Sequence, residues 1–160
     1  MDPQQRLLLE VGYYVLASGG ESRDSLMGSA TGVLVGVMTD GEWATCQQRV
    51  MMQNPQPMSA FAANASGPAA LAGRVSFVLG LKGPCFSVTT VCSSSLVALD
   101  AAAQNLQDGR CTAGLVAGIN MISDPIGFLI LGPALASDGM CKTFDTAANG
   151  MGRGDGCGTV

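Results

Sequence analysis

The apolar and polar positions along the 160 residues change period several times. Leu7, Leu8, Val11, Tyr14 and Val15 recur at helical spacing behind Asp2-Pro3. That pair opens a helix well, because Asp accepts from the free first-turn N–H groups and proline lacks the donor that would be wasted there. Gly19-Gly20 closes the segment. The polar, mixed-charge residues 22–29 predict a loop. Residues 31–38 (TGVLVGVM) form a short, nearly continuous apolar run, the pattern of a strand covered on both faces of a parallel sheet. A helix is predicted over 42–52, with Trp43 on its apolar side and Pro55 and Pro57 ending it. Small residues dominate 59–67. The next helix, over 68–81, carries Leu71, Val75, Val78 and Leu79 on one side and runs into a turn at 80–84.

Residues 84–91 favour extended backbone. Residues 96–106, full of Ala and Leu without Gly or Pro, favour helix. Asp108-Gly109-Arg110 breaks that helix, and 113–121 (AGLVAGINM) reads as another buried strand. Asp124-Pro125 starts a short helix or turn. Residues 136–158 are loop-like and glycine-rich, and 157–160 look like the first residues of a strand. Strands alternating with helices imply a layered α/β fold. With no repeat, linker or low-complexity tract, the chain is one domain or a piece of one.

Composition changes this picture in one respect. Hydrophobic residues make up 48% and charged residues 12%, against about 25% charge in an ordinary domain. Further chain or a partner is therefore expected to cover part of the surface. The net charge of −4 and the lack of a Lys/Arg cluster argue against nucleic acid. No apolar run approaches the roughly 18 residues of a membrane span. The start is polar and lacks the apolar stretch of a signal peptide. The six cysteines lack any C-x-x-C pair and the chain has no histidine, which disfavours a metal site and predicts reduced thiols in an intracellular, cytoplasmic setting.

Cys92 carries the candidate chemistry, because it sits where the strand over 84–91 gives way to the helix over 96–106. A thiol there faces the positive end of a helix dipole, a setting that brings cysteine pKa values to roughly 3.5–7.5 from about 8.5. A buried structural cysteine is the competing reading. Ser93, Ser94 and Ser95 are expected to cap and pack the first helical turn. Cys85, Cys111, Cys141 and Cys157 are expected to fill core. The spaced glycines of 139–158 show no phosphate-loop pattern, and read better as places where backbone passes close to backbone.

Three stretches then carry a family resemblance. Residues 1–10 (MDPQQRLLLE), Cys92-Ser93-Ser94-Ser95-Leu96-Val97-Ala98-Leu99, and Cys141-Lys142-Thr143-Phe144-Asp145 followed by Gly150, Arg153-Gly154 and Gly156-Cys157-Gly158 resemble, in order, motifs of the β-ketoacyl synthase (ketosynthase) domains of polyketide and fatty acid synthases. The resemblance implies a thiolase-like, layered αβαβα fold. Residues 1–160 would be a partial domain, from its N-terminal half and truncated at both ends.

It also implies a decarboxylative Claisen condensation. Cys92 would be the acyl-thioester nucleophile and its backbone N–H an oxyanion donor. The family's two assisting histidines would lie downstream. Substrates would ride on the phosphopantetheine of an acyl carrier protein, with no cofactor bound directly, and strand 84–91 would lie at a homodimer interface. An isolated piece would be inactive. Thr89, Val91, Asn149, Gly152 and Asp155 depart from the family pattern (Asp, Ala, Asp, Val and Glu respectively). A non-catalytic ketosynthase-like domain that gives a dimer surface or channels substrate is the alternative. A cysteine hydrolase is disfavoured, because Thr90 and Ser94 stand where its elbow has glycine.

Overall fold

The computed structural model describes residues 1–38, 42–55, 61 and 65–160. Helix α1 spans Pro3–Ser18, with Pro3 in its first turn. Asp2 caps it, Oδ1 accepting the Gln4 N–H at 2.8 Å. Its buried stripe is Gln4, Gln5, Leu8 and Gly12. Tyr14 belongs to the predicted apolar face but lies about 120° around the helix from Leu8, and it is exposed. The loop expected over 22–29 contains a one-turn helix, α2, at Arg23–Leu26. Ser22 and Ser25 cap it reciprocally, each hydroxyl accepting the other's N–H, and Leu26 is buried. A single apolar residue gives too little periodicity to reveal such a turn in sequence.

The sheet is built from β1 (Thr31–Val37), β2 (Cys85–Val88), β3 (Ala113–Asn120) and β4 (Gly156–Thr159) in the order β2-β1-β3-β4. β1 pairs in parallel with β2 and β3, and β4 is antiparallel to β3. Every residue of β1 is buried, as its continuous apolar run requires of a central parallel strand. Val33, Val35, Val37, Leu115, Ala117 and Ile119 meet Leu8 of α1 and Leu71, Val75 and Leu79 of helix α4 (Pro68–Leu79). On the opposite face Leu34 and Val116 meet Ala98 and Ala102 of helix α5 (Ser94–Gln107). The expected layered α/β arrangement is present.

α4 stops two residues before the predicted 81, because Gly80 takes the left-handed conformation that ends a helix (φ 69°). Val78, on the rim of its buried stripe, is exposed. Helix α3 (Glu42–Gln53) follows the prediction, and α6 (Ile126–Leu131) is the short helix expected after Asp124-Pro125. Most of the small-residue stretch 59–67, and Pro57, lie outside the described residues. No helix among the described residues is long and apolar enough to cross a membrane.

Candidate active site

Cys92 lies in a single 3₁₀ turn, Val91–Ser93, that joins the end of β2 to α5. The predicted strand-to-helix junction is there, with Thr89 and Thr90 between strand and turn. The thiol is exposed, which removes the buried structural reading. The Cys92 N–H has no hydrogen-bond partner among the described residues, so it stands available to an incoming acceptor.

Ser94 builds this junction. It is buried, its Oγ accepts the Thr90 N–H at 2.8 Å, and its hydroxyl faces the Val91 carbonyl at 2.7 Å and the Val37 carbonyl at 3.3 Å. Ser93 Oγ donates back to Thr90. The serines bond backward to Thr90 and Val91, so the expected packing role holds, but the expected cap does not form: among the described residues no serine hydroxyl accepts an N–H of the first turn of α5. Held this way, Val91 adopts φ 57°. A left-handed backbone brings Cβ against the following carbonyl oxygen and disfavours a β-branched residue by about 1–2 kcal/mol.

Two glycines let α5 start directly on the sheet. An added Cβ at Gly36 would lie 2.5 Å from the Ser94 carbonyl carbon and the Ser95 nitrogen, and one at Gly118 would lie 2.8 Å from Ser95 Cβ. The two are paired across β1 and β3. The height of Cys92 above the sheet is therefore set by the absence of two side chains.

A cavity of about 470 Å³ opens beside Cys92, lined by Val91, Met38, Asn120, Leu131, Met151 and Arg153 together with several glycines. Residues 151–154 and 156 also line it, and this segment is tied to the end of β3 and the residues after it. Asn120 Nδ2 donates to the Gly154 carbonyl at 2.9 Å, and the Ile122 N–H donates to Asp155 Oδ1 at 2.6 Å. Arg153 pairs with Glu42 at 2.5 Å, their side chains 6% and 3% exposed. Glu42 also accepts the Ser123 and Asp124 N–H groups, and Arg153 stacks on the Phe128 ring at 4.9 Å. The sequence reading assigned neither Glu42 nor Arg153 to the site. The available signal was their charge, rare in a chain with 12% charged residues.

The glycine-rich segment divides in two. Gly152 cannot carry a side chain beside the Gly139 carbonyl, and its N–H donates to Cys141 Sγ at 3.1 Å. Added Cβ atoms at Gly154, Gly156 and Gly158 meet nothing within 4 Å, so close backbone approach explains only part of the series. Core filling likewise holds fully for Cys111 and partly for Cys157, which packs against the core at its edge. Cys85 and Cys141 are exposed and Cys157 is half-buried, because each sits on a strand end or loop with too little chain packed over it. Desolvation pushes the Cys85 and Cys157 thiols above the ordinary thiol range, with the Ser76 and Thr159 hydroxyls offsetting part of the rise.

Residues 1–160 match the family "Beta-ketoacyl synthase, N-terminal domain". The chain belongs to the β-ketoacyl synthase family. All of this ketosynthase chain aligns with "Highly reducing polyketide synthase dmxL2" of Cryptosporiopsis sp. (strain 8999) at 41% identity, covering 6% of that protein. All of it also aligns with "Tenellin synthetase" of Beauveria bassiana (strain ARSEF 2860) at 43% identity, covering 4%.

Among solved structures, the oxazolomycin ketosynthase domain OzmH KS7 of Streptomyces albus JA3453 superposes with a TM-score of 0.85 at 32% identity over 99% of this chain and 27% of its own. The ketosynthase from module 6 of the bacillaene synthase of Bacillus subtilis 168 gives 0.83 at 31%, over 99% and 26%. The fold is thiolase-like and the ketosynthase region is partial, spanning about a quarter of these solved chains.

Proposed function

We propose that this chain supplies the nucleophile of a polyketide synthase's condensing domain. The carrying observation is Cys92: exposed, at the head of α5, beside a cavity, with an uncommitted backbone N–H. Its thiolate attacks the carbonyl carbon of an acyl thioester held on the phosphopantetheine of an acyl carrier protein. The oxygen takes the negative charge and is received by the Cys92 N–H. Collapse breaks the carbon–sulfur bond to the carrier, whose thiolate takes up a proton, and leaves the acyl group on Cys92. A malonyl-type unit on a carrier protein then loses carbon dioxide. Its carbanion forms a carbon–carbon bond to the Cys92-bound carbonyl and releases the Cys92 thiolate.

The two histidines that assist in the family have no counterpart among residues 1–160, so the condensation is assigned to the full-length protein. The relatives' names favour a polyketide product over a fatty acid. Homodimerisation through residues 84–91 is supported by the position of β2 at an open edge of the sheet, its ladder groups unpaired on one side among the described residues. All six cysteines are free, which supports a reducing, intracellular setting.

The test is acyl loading of the full-length protein from an acyl carrier protein, read as a mass shift on the peptide containing Cys92. Loading is expected in the wild type and absent in Cys92→Ala. Loading that persists in Cys92→Ala overturns the assignment.

A further inference from the structure

The residue before the nucleophile is held in a conformation that its side chain resists, and the described protein gives that side chain little in return. Val91 sits at φ 57°, and 57% of it is exposed, so it contributes little to the core. A glycine would occupy the same backbone without strain. The hydrogen bonds of Ser94 fix the turn, so the Val91 side chain cannot swing away by relaxing the backbone. It lines the same cavity as Cys92. Much of the rest of the cavity lining is glycine, including Gly36, Gly118 and Gly152. In such a site one rigid, branched side chain beside the nucleophile governs what fits there. Strained residues of this kind persist where the strained position serves the site.

We propose that Val91 is a specificity-determining residue, whose two γ-methyl groups discriminate against acyl groups branched at the carbon next to the thioester carbonyl. This rests on the reading of Cys92 as the acyl acceptor. The carbon next to the carbonyl is held within two bonds of the sulfur, so it meets the side chain adjacent to Cys92 before more distant walls. A misfitting or accommodated methyl changes discrimination by about 10- to 200-fold in apolar pockets.

The experiment compares acylation of Cys92 in the full-length protein by the N-acetylcysteamine thioesters of hexanoate and 2-methylhexanoate. The reading is the branched-to-straight ratio of second-order rates, taken by mass on the Cys92 peptide. Val91→Ala and Val91→Gly are expected to raise that ratio about tenfold or more, Gly fitting the backbone without strain. Val91→Thr, which keeps the branch, is expected to hold the wild-type ratio. A ratio within twofold of wild type in both Val91→Ala and Val91→Gly overturns the inference while leaving Cys92 as the acceptor. Rates for the two substrates falling in parallel overturn it as well, marking Val91 as structural only. Wild-type protein that acquires no acyl group at Cys92 overturns both readings.

Discussion

Replacing Gly36 by Ala tests how the sheet positions Cys92, the proposed nucleophile. The new Cβ would stand 2.5 Å from the Ser94 carbonyl carbon and the Ser95 nitrogen, whereas non-bonded carbon atoms rest at about 3.5–4.0 Å. The obstacle is backbone, which no rotamer change relieves. The head of α5 must therefore withdraw by about 1 Å, or β1 must bow away into a core where its neighbours Val35 and Val37 are each 1% exposed. Overpacking of this kind destabilises by about 1–3 kcal/mol. A nucleophile displaced by about 1 Å loses roughly 100-fold in rate.

The assay is the second-order rate of Cys92 acylation by hexanoyl-N-acetylcysteamine in the full-length protein, with amide exchange over β1 and α5 reporting local stability. The expected result is a rate loss of one to two orders of magnitude that exceeds any loss of bulk fold. Gly36→Ala protein that acylates at the wild-type rate, with unchanged exchange protection, refutes the claim that this glycine sets the position of Cys92.

Further outcomes follow from the same geometry. Ser94→Ala strands the Thr90 N–H and frees the Val91 carbonyl; a loss of about 1–3 kcal/mol is expected, measured as accelerated exchange of the Thr90 amide. Glu42→Gln removes the charge that Glu42 presents to the buried Arg153 and is expected to destabilise residues 151–156 by about 1–3 kcal/mol, read by urea-dependent exchange. Gly73 sits inside α4 with nothing within 4 Å of an added Cβ, so Gly73→Ala is expected to stabilise by about 0.5–1 kcal/mol, visible as a later denaturation midpoint. Because desolvation raises the Cys157 thiol, its contribution to stability is fully present below the unfolded thiol pKa of about 8.5 and is lost as pH rises through the higher folded value. Iodoacetamide should accordingly label Cys157 more slowly at neutral pH than a free thiol, and its rate should climb only at more alkaline pH.

Local signals in the sequence determined a good deal. Asp2-Pro3 specified the start of α1, because capping and proline geometry act within one turn. The continuous apolar run of β1 announced a strand buried on both faces. The change of pattern around Cys92 located the junction between β2 and α5, and three separated motifs carried the family resemblance. These features are short in range, so the order of residues alone reveals them.

Tertiary structure decided what depends on residues distant in the chain. Tyr14 and Val78 shared the right period but fell off the stripes that α1 and α4 press on the sheet, which only the packing angle fixes. Cys85 and Cys141 looked like core filling until their neighbours proved absent. Glu42 and Arg153 are 111 positions apart, and nothing local couples two isolated charges. The strained backbone of Val91 was equally invisible, since its dihedral is imposed by the buried hydroxyl of Ser94 and by a helix seated on Gly36 and Gly118. Sequence singled out Cys92 as the candidate nucleophile; the sheet beneath it determined where the thiol stands and which side chain stands beside it.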